Sequence, residues 1–158
     1  MSLFNTRRPI QTPTLIQCTE FSIYEHAYHL QQLLSIFVWR QLDDAIQFLA
    51  DWILDMVPQD ILETRTLNQY NTMKQEMYYN WSLDELFAVY CELIMQIYIH
   101  CQPEADNVQT NWEQLLILIL RTRKIANIGT KYGRNALFYS TINNLMQSLN
   151  EFALYIDR

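Results

Sequence analysis

An all-α fold, a compact bundle of five to seven helices with an extended N-terminal arm, is what this sequence predicts, on three observations. Apolar residues recur at intervals of three and four from Ser22 almost to the last residue, the mark of amphipathic helices. Three Ser/Thr-x-x-Glu strings, Ser22 with Glu25, Ser82 with Glu85 and Thr110 with Glu113, have the form of capping boxes, in which the hydroxyl serves the amide three residues on and the carboxylate reaches back. Glycine occurs only twice. Hairpins and phosphate-cradling turns need backbone positions that glycine fills best, so sheet-rich and nucleotide-binding folds are disfavoured.

Residues 1–19 carry Pro9, Pro13 and Arg7-Arg8 with no helical period, and they read as the extended arm. Residues 20–158 read as one helical domain. From Ser22 to Val57 the series Ile23, Ala27, Leu30, Leu34, Val38, Leu42, Ala45, Leu49, Ile53 and Met56 keeps helical spacing. A single helix of that span would run about 50 Å, too long for a domain of this size, so a break is expected between Trp39 and Gln41. Pro58 suits the first turn of a short helix ending near Thr66, and a further helix runs from about Leu67 to Asn80. The helix from Leu83 to Cys101 places Leu86, Val89, Tyr90, Leu93 and Ile97 on one side, with His100 near them. Next, Asn111 to about Asn127 is apolar on every side between Leu115 and Leu120, which predicts a helix buried at the centre of the bundle. Its basic residues Arg121 to Lys124 form the expected last turn, and Gly129 the expected terminator. The last helix, about Arg134 to Tyr155, has a seam of Phe138, Ile142, Leu145, Leu149, Phe152 and Ile156 opposite a polar face of Asn143, Asn144, Gln147, Ser148, Asn150 and Glu151.

A chain that is 50% hydrophobic and 18% charged can bury a core and is not of the disordered class. Its formal net charge of -6 repels phosphate backbones, so no nucleic-acid partner is expected. Cys18, Cys91 and Cys101 have no zinc-like or redox-motif spacing and read as free thiols in a reducing compartment. No apolar leader segment is visible, and the run Leu115 to Leu120 is far too short to span a bilayer. The expected location is cytoplasmic, with the nucleus not excluded.

Chemistry-bearing patterns are sparse, and no catalytic residue, cofactor or metal is assigned. The Glu-x-x-His pairs of di-iron bundles are absent, as are a glycine-rich phosphate loop, a Gly-x-Ser-x-Gly elbow and a His-Glu-x-x-His string. His26 and His29 share a helix face beside Glu25, where a metal or proton-transfer site can be imagined, but pairing with each other's neighbours or with solvent is the preferred reading of both. Asp43, Asp44, Asp51 and Asp55 recur at helical spacing, with Glu85 and Glu92 as a loose second set. That arrangement gives an alternative reading, a metal-dependent hydrolase of the all-α nucleotide pyrophosphohydrolase type.

Binding signals are stronger. Trp39, Trp52, Tyr78, Tyr79 and Trp81 are many large aromatics for one small core, and such side chains dominate interface hot spots. Leu42, Ile46, Leu49 and Ile53, with Ala50 and Asp51, resemble the BH3 pattern of the Bcl-2 family, and Asn80-Trp81 resembles the Asn-Trp of its BH1 region. The resemblance implies an apoptosis regulator in which four apolar residues fill a groove and Asp51 meets an arginine. Ser82-Leu83 stands where that family has Gly-Arg, and no BH2-like Trp with Gly-Gly follows.

The function expected first is therefore non-enzymatic protein–protein interaction, as an adaptor that acts through a helical surface and self-associates, with a protein partner of unknown identity. The richness in Asn, Gln and Tyr with little Gly resembles viral accessory proteins. Residues expected to contact partners are Leu42, Ile46, Leu49, Asp51, Ile53, Trp39, Trp52, Arg7 and Arg8, the two arginines through an arm that orders on an acidic face.

Overall fold

A computed structural model of the chain describes residues 20–56, 67–101 and 106–156. Six helices and no strands occur among them: α1 (Glu20–Trp39), α2 (Leu42–Met56), α3 (Leu67–Asn80), α4 (Leu83–Cys101), α5 (Asp106–Tyr132) and α6 (Ala136–Ile156). The all-α expectation holds. The expected short helix after Pro58, the arm with Arg7 and Arg8, and Cys18 lie outside the described residues.

The expected break falls at Arg40 and Gln41, with no glycine or proline to force it. The Arg40 amide still donates to the Ile36 carbonyl, at 2.9 Å, whereas the Gln41 amide donates to the Asp44 carboxylate, at 3.2 Å. Asp44 thus satisfies a donor that the start of α2 would otherwise leave orphaned. At α4 the capping box forms as expected: Ser82 Oγ accepts from the Glu85 amide at 3.1 Å, and Glu85 Oε1 accepts from the Ser82 amide at 3.3 Å.

The other two boxes do not cap. α1 is already helical at Glu20 and α5 at Asp106, so Ser22 and Thr110 lie inside their helices. The α5 end also differs from expectation. The helix continues through Arg121 to Lys124 and past Gly129, leaving Lys131 as the basic residue of its last turn. The true terminator is Gly133, whose φ of 82° is the left-handed conformation of a C-cap glycine and whose amide donates to the Gly129 carbonyl at 3.1 Å. Gly129 serves space instead: a Cβ there would stand 2.7 Å from the edge of the buried Phe138 ring. Asn135 then caps α6 by accepting from the Phe138 amide at 2.9 Å.

Packing follows the apolar stripes. α5 lies against α4, α1 and α6, and α1 lies against α6, α5 and α2; α2 also touches α4 and α3. Side-chain pairs show α4 and α5 to be antiparallel, since Tyr98 meets Glu113 and Asp84 meets Arg123. Ile23, Ala27, Leu30, Leu34, Ala45, Leu49 and Ile53 are fully buried, as their spacing requires, and so are Phe138, Leu145 and Leu149 of the α6 seam. One expectation fails within α5. Leu115, Leu118 and Ile119 are buried, but Ile117 and Leu120 are 48% and 45% exposed, so this run is not buried on every side.

Gly129→Ala separates the two reasons for using glycine. Helix propensity alone favours alanine by about 1 kcal/mol, but the collision with Phe138 reverses the sign, for a net loss of about 1–2 kcal/mol in urea unfolding. Gly133→Ala meets no atom within 4 Å, and its loss of about 1 kcal/mol comes from the backbone alone.

Candidate functional site

His26, the first candidate for proton chemistry, is sealed inside the bundle at 2% exposure. Its Nδ1 shares a 2.7 Å hydrogen bond with the Tyr90 hydroxyl, which joins α1 to α4. Trp52 of α2 stands edge-on to the imidazole at 5.1 Å, and Trp112 of α5 at 6.0 Å. Burial, helped by the neighbouring His29, holds the His26 pKa down at about 3, and burial pushes the Tyr90 phenol well above its ordinary range. Neither group exchanges a proton near neutral pH. Both indole N–H groups, of Trp52 and Trp112, are buried without an acceptor; the Trp52 N–H faces the Tyr90 oxygen but does not reach hydrogen-bond geometry.

His29 has a different task. Its ring lies flat on Trp52, with centroids 3.6 Å apart, and its Nδ1 donates to the Glu25 carbonyl at 2.7 Å. A carbonyl can only accept, so Nδ1 carries the proton. Nothing brings the two histidines to a shared ligand position, and among the described residues no three His, Cys, Asp or Glu side chains come together in a way that could hold a metal ion.

Three of the acidic residues of the alternative hydrolase reading are engaged within the chain. Asp44 caps α2 and lies 3.8 Å from Arg40; Asp51 accepts from the Tyr78 hydroxyl and lies 3.8 Å from Lys74; Glu85 caps α4. Asp43, Asp55 and Glu92 are exposed. Asp84 accepts two hydrogen bonds from Arg123, at 2.7 and 3.1 Å, and a third from Asn127 at 2.9 Å. These donors, Arg123 first, hold its carboxyl down at about 2. The pair acts as a clamp between α4 and α5. Cys91 is a buried thiol, raised by burial against the opposing charge of Arg123.

The BH3-like string has an internal position. Leu49, Ala50 and Ile53 are fully buried, and Leu42, Ile46 and Trp52 pack against the edge of the same core, so a partner could reach Leu49 and Ile53 only if α2 left the bundle. Asp51 finds its cation and its donor on α3, within the chain. Trp39, by contrast, is 81% exposed. It belongs to one end of the bundle, where the α1–α2 break and the α5–α6 turn are joined by Arg134, which donates to the Arg40 carbonyl. Tyr132 and Leu137, 65% and 59% exposed, flank that turn, and the Lys131 ammonium lies 5.3 Å from the Tyr132 ring. Sequence reading singled out Trp39 but missed Tyr132 and Leu137, because only the fold brings these segments to the same end. It also missed Met95, Ile99, Ile117 and Leu120, whose apolar character reads as core until the burial of each face is known.

Searches of protein-family models, curated proteins and solved structures find nothing that matches this chain.

The His26 environment makes stability depend on pH. An unfolded imidazole takes up a proton near 6.5, whereas the folded one stays neutral down to about 3, so the unfolded state binds more protons between those values. Stability contributed at this site is full above pH 6.5 and falls by about 1.4 kcal/mol per pH unit below it. His26→Gln is expected to remove about 2 kcal/mol of the difference between unfolding free energies at pH 7.5 and pH 5. In the unaltered protein the His26 ring proton shift should stay flat by NMR from pH 8 to pH 5, and a titration near 6.5 would contradict the assignment. At Trp112, whose N–H has no acceptor, the change to Phe should cost under about 1.5 kcal/mol, against about 3–5 kcal/mol for Ala.

Proposed function

We propose that this chain is a non-enzymatic protein–protein interaction protein, an adaptor that works through its helical exterior and self-associates. The observation that supports it best is Trp39, a large aromatic left 81% exposed at the end of the bundle where two helix joints meet. The two joints that Arg134 links there also carry the exposed apolar side chains Tyr132 and Leu137 and the cations Arg40, Lys131 and Arg134, of which Arg40 lies 3.8 Å from Asp44. Tryptophan buries large area at low entropic cost, and arginine pairs with carboxylates through a preformed fork. The end therefore suits a protein segment that offers an apolar anchor beside an acidic residue. The residues with the greatest chemical potential have structural tasks: His26 and Tyr90 bond each other in the core, and Asp84 and Asp51 tie helices together. No described helix is long and apolar enough to cross a membrane. A reducing compartment such as the cytoplasm suits the buried free thiol of Cys91.

Affinity capture with the folded chain, run in parallel with Trp39→Ser and Arg134→Glu, tests this reading. Trp39→Ser sits at an exposed position and should leave stability within about 0.5 kcal/mol. A stoichiometric protein partner retained by the unaltered chain and lost at least tenfold by Trp39→Ser is the expected result. Equal capture by both would remove this end of the bundle as the binding site.

A further inference from the structure

Charge in this chain is sorted along its length. From Gln114 to Asn150 there is no Asp or Glu, yet Arg121, Arg123, Lys124, Lys131 and Arg134 all fall there. The fold turns this bias in sequence into a bias in space. The stretch forms the second half of α5, the Gly133 turn and most of α6, and Arg134 ties that turn to Arg40 at the α1–α2 joint. Six of the seven Lys and Arg among the described residues therefore stand toward the end of the bundle that carries Trp39, and the seventh is Lys74 of α3.

Pairing within the chain removes two of the six from the balance. Arg123 is held by Asp84, and Arg40 lies 3.8 Å from Asp44. Arg121, Lys124, Lys131 and Arg134 form no ion pair with a described residue. Two carboxylates remain toward that end, those of Asp43 and Glu85, each in the first turn of its helix. Four cations thus stand against two carboxylates, whereas the other described residues comprise nine Asp or Glu and the single cation Lys74.

Distance keeps the two populations apart. The 27 residues of α5 extend about 40 Å, while charges in water are screened over about 8–10 Å at physiological salt. A group that approaches the basic end meets the cations there, and the remote carboxylates scarcely act on it. Arg121, Lys124 and Lys131 are exposed and, at steps of three and seven, share one stripe of α5. The stripe spans about 15 Å and leads to the turn flanked by Tyr132 and Leu137.

We infer that the partner of the Trp39 end is an acidic protein segment, held by the cationic stripe of α5 and by Arg134 beyond it as well as by the exposed aromatics. The assignment rests on the reading of that end as a binding site and specifies what occupies it. A short segment matches the charge distribution better than duplex nucleic acid or an anionic bilayer does. Those polyanions are broader than the stripe and bring their charge against the carboxylates of the same chain, whereas a segment of a few turns lies within the basic region alone. The field of the bundle also turns this end toward an acidic partner during encounter, so association is fast and sensitive to salt.

Fluorescence anisotropy with a labelled peptide of five Glu-Glu-Glu-Leu repeats tests the inference, with the Gln-for-Glu peptide as control. The acidic probe is expected to bind the folded chain at least tenfold more tightly than the control, and to lose at least tenfold in affinity between about 50 and about 300 mM salt. Lys124→Glu/Lys131→Glu should weaken it at least tenfold with the helical circular dichroism retained, and Glu92→Gln should leave it unchanged. Lys124→Gln/Lys131→Gln, which removes charge without reversing it, gives a smaller loss and serves should the reversal fail to fold. Equal affinity for both peptides, or an acidic probe indifferent to both lysine variants, would overturn the inference and leave partner capture through Trp39 to its own measurement. Tighter binding of a DNA duplex, or of phosphatidylcholine vesicles containing phosphatidylserine, with loss in the same lysine variants, would also overturn it, by identifying a different polyanion.

Discussion

Four helices meet around the ring of His26, and this buried contact constrains the rest of the bundle. α1 supplies the imidazole, α4 the Tyr90 hydroxyl, and α2 and α5 the two indoles that enclose them. Burying an imidazole and a phenol is costly unless each finds a partner. Aliphatic side chains can often repack after a small slip, but a buried polar pair has few solutions. The hydrogen bond therefore fixes how α1 and α4 are rotated, and hence which residues of each helix meet solvent.

The exterior produced in this way is uneven. α6 presents Asn143, Asn144, Gln147, Asn150 and Glu151, a hydrated face that needs no cover. At the end built from the α1–α2 and α5–α6 joints, aromatic and basic side chains are exposed, and along α4 and α5 the aliphatic Met95, Ile99, Ile117 and Leu120 are exposed. A protein surface is normally apolar in part, so single exposed leucines carry no message. Grouping is what distinguishes a patch from scattered apolar side chains.

Much of the architecture was legible in the residues themselves. The α6 seam was readable because its period is regular and its opposite face uniformly polar, and the Ser82 box because both of its partners are present and a break precedes it. The break at Arg40 and Gln41 followed from length alone. Other features depended on contacts that no local pattern encodes. Ser22 and Thr110 have the form of caps, yet helix begins upstream of both. Gly129 resembles a terminator, but it is small because Phe138 passes close by. The His26–Tyr90 pair spans 64 residues, and the Asp84–Arg123 clamp 39; each side chain is ordinary in its own segment. Leu115 to Leu120 reads as uniformly buried because hydrophobicity reports what a residue favours and not whether a neighbour exists to provide it.

Both glycines of the chain fall within five positions, at the joint between its longest helix and its last. Every other described junction turns with ordinary L-residues, held by side-chain caps such as Asp44 and Ser82. Tolerance of sequence change is therefore expected to be lopsided. Drift at the other junctions has several acceptable cap residues to choose from, whereas the final hairpin depends on one site that admits no methyl group and another that requires an unusual backbone. Any lineage or designer reworking this scaffold would meet its firmest restriction there, far along the chain.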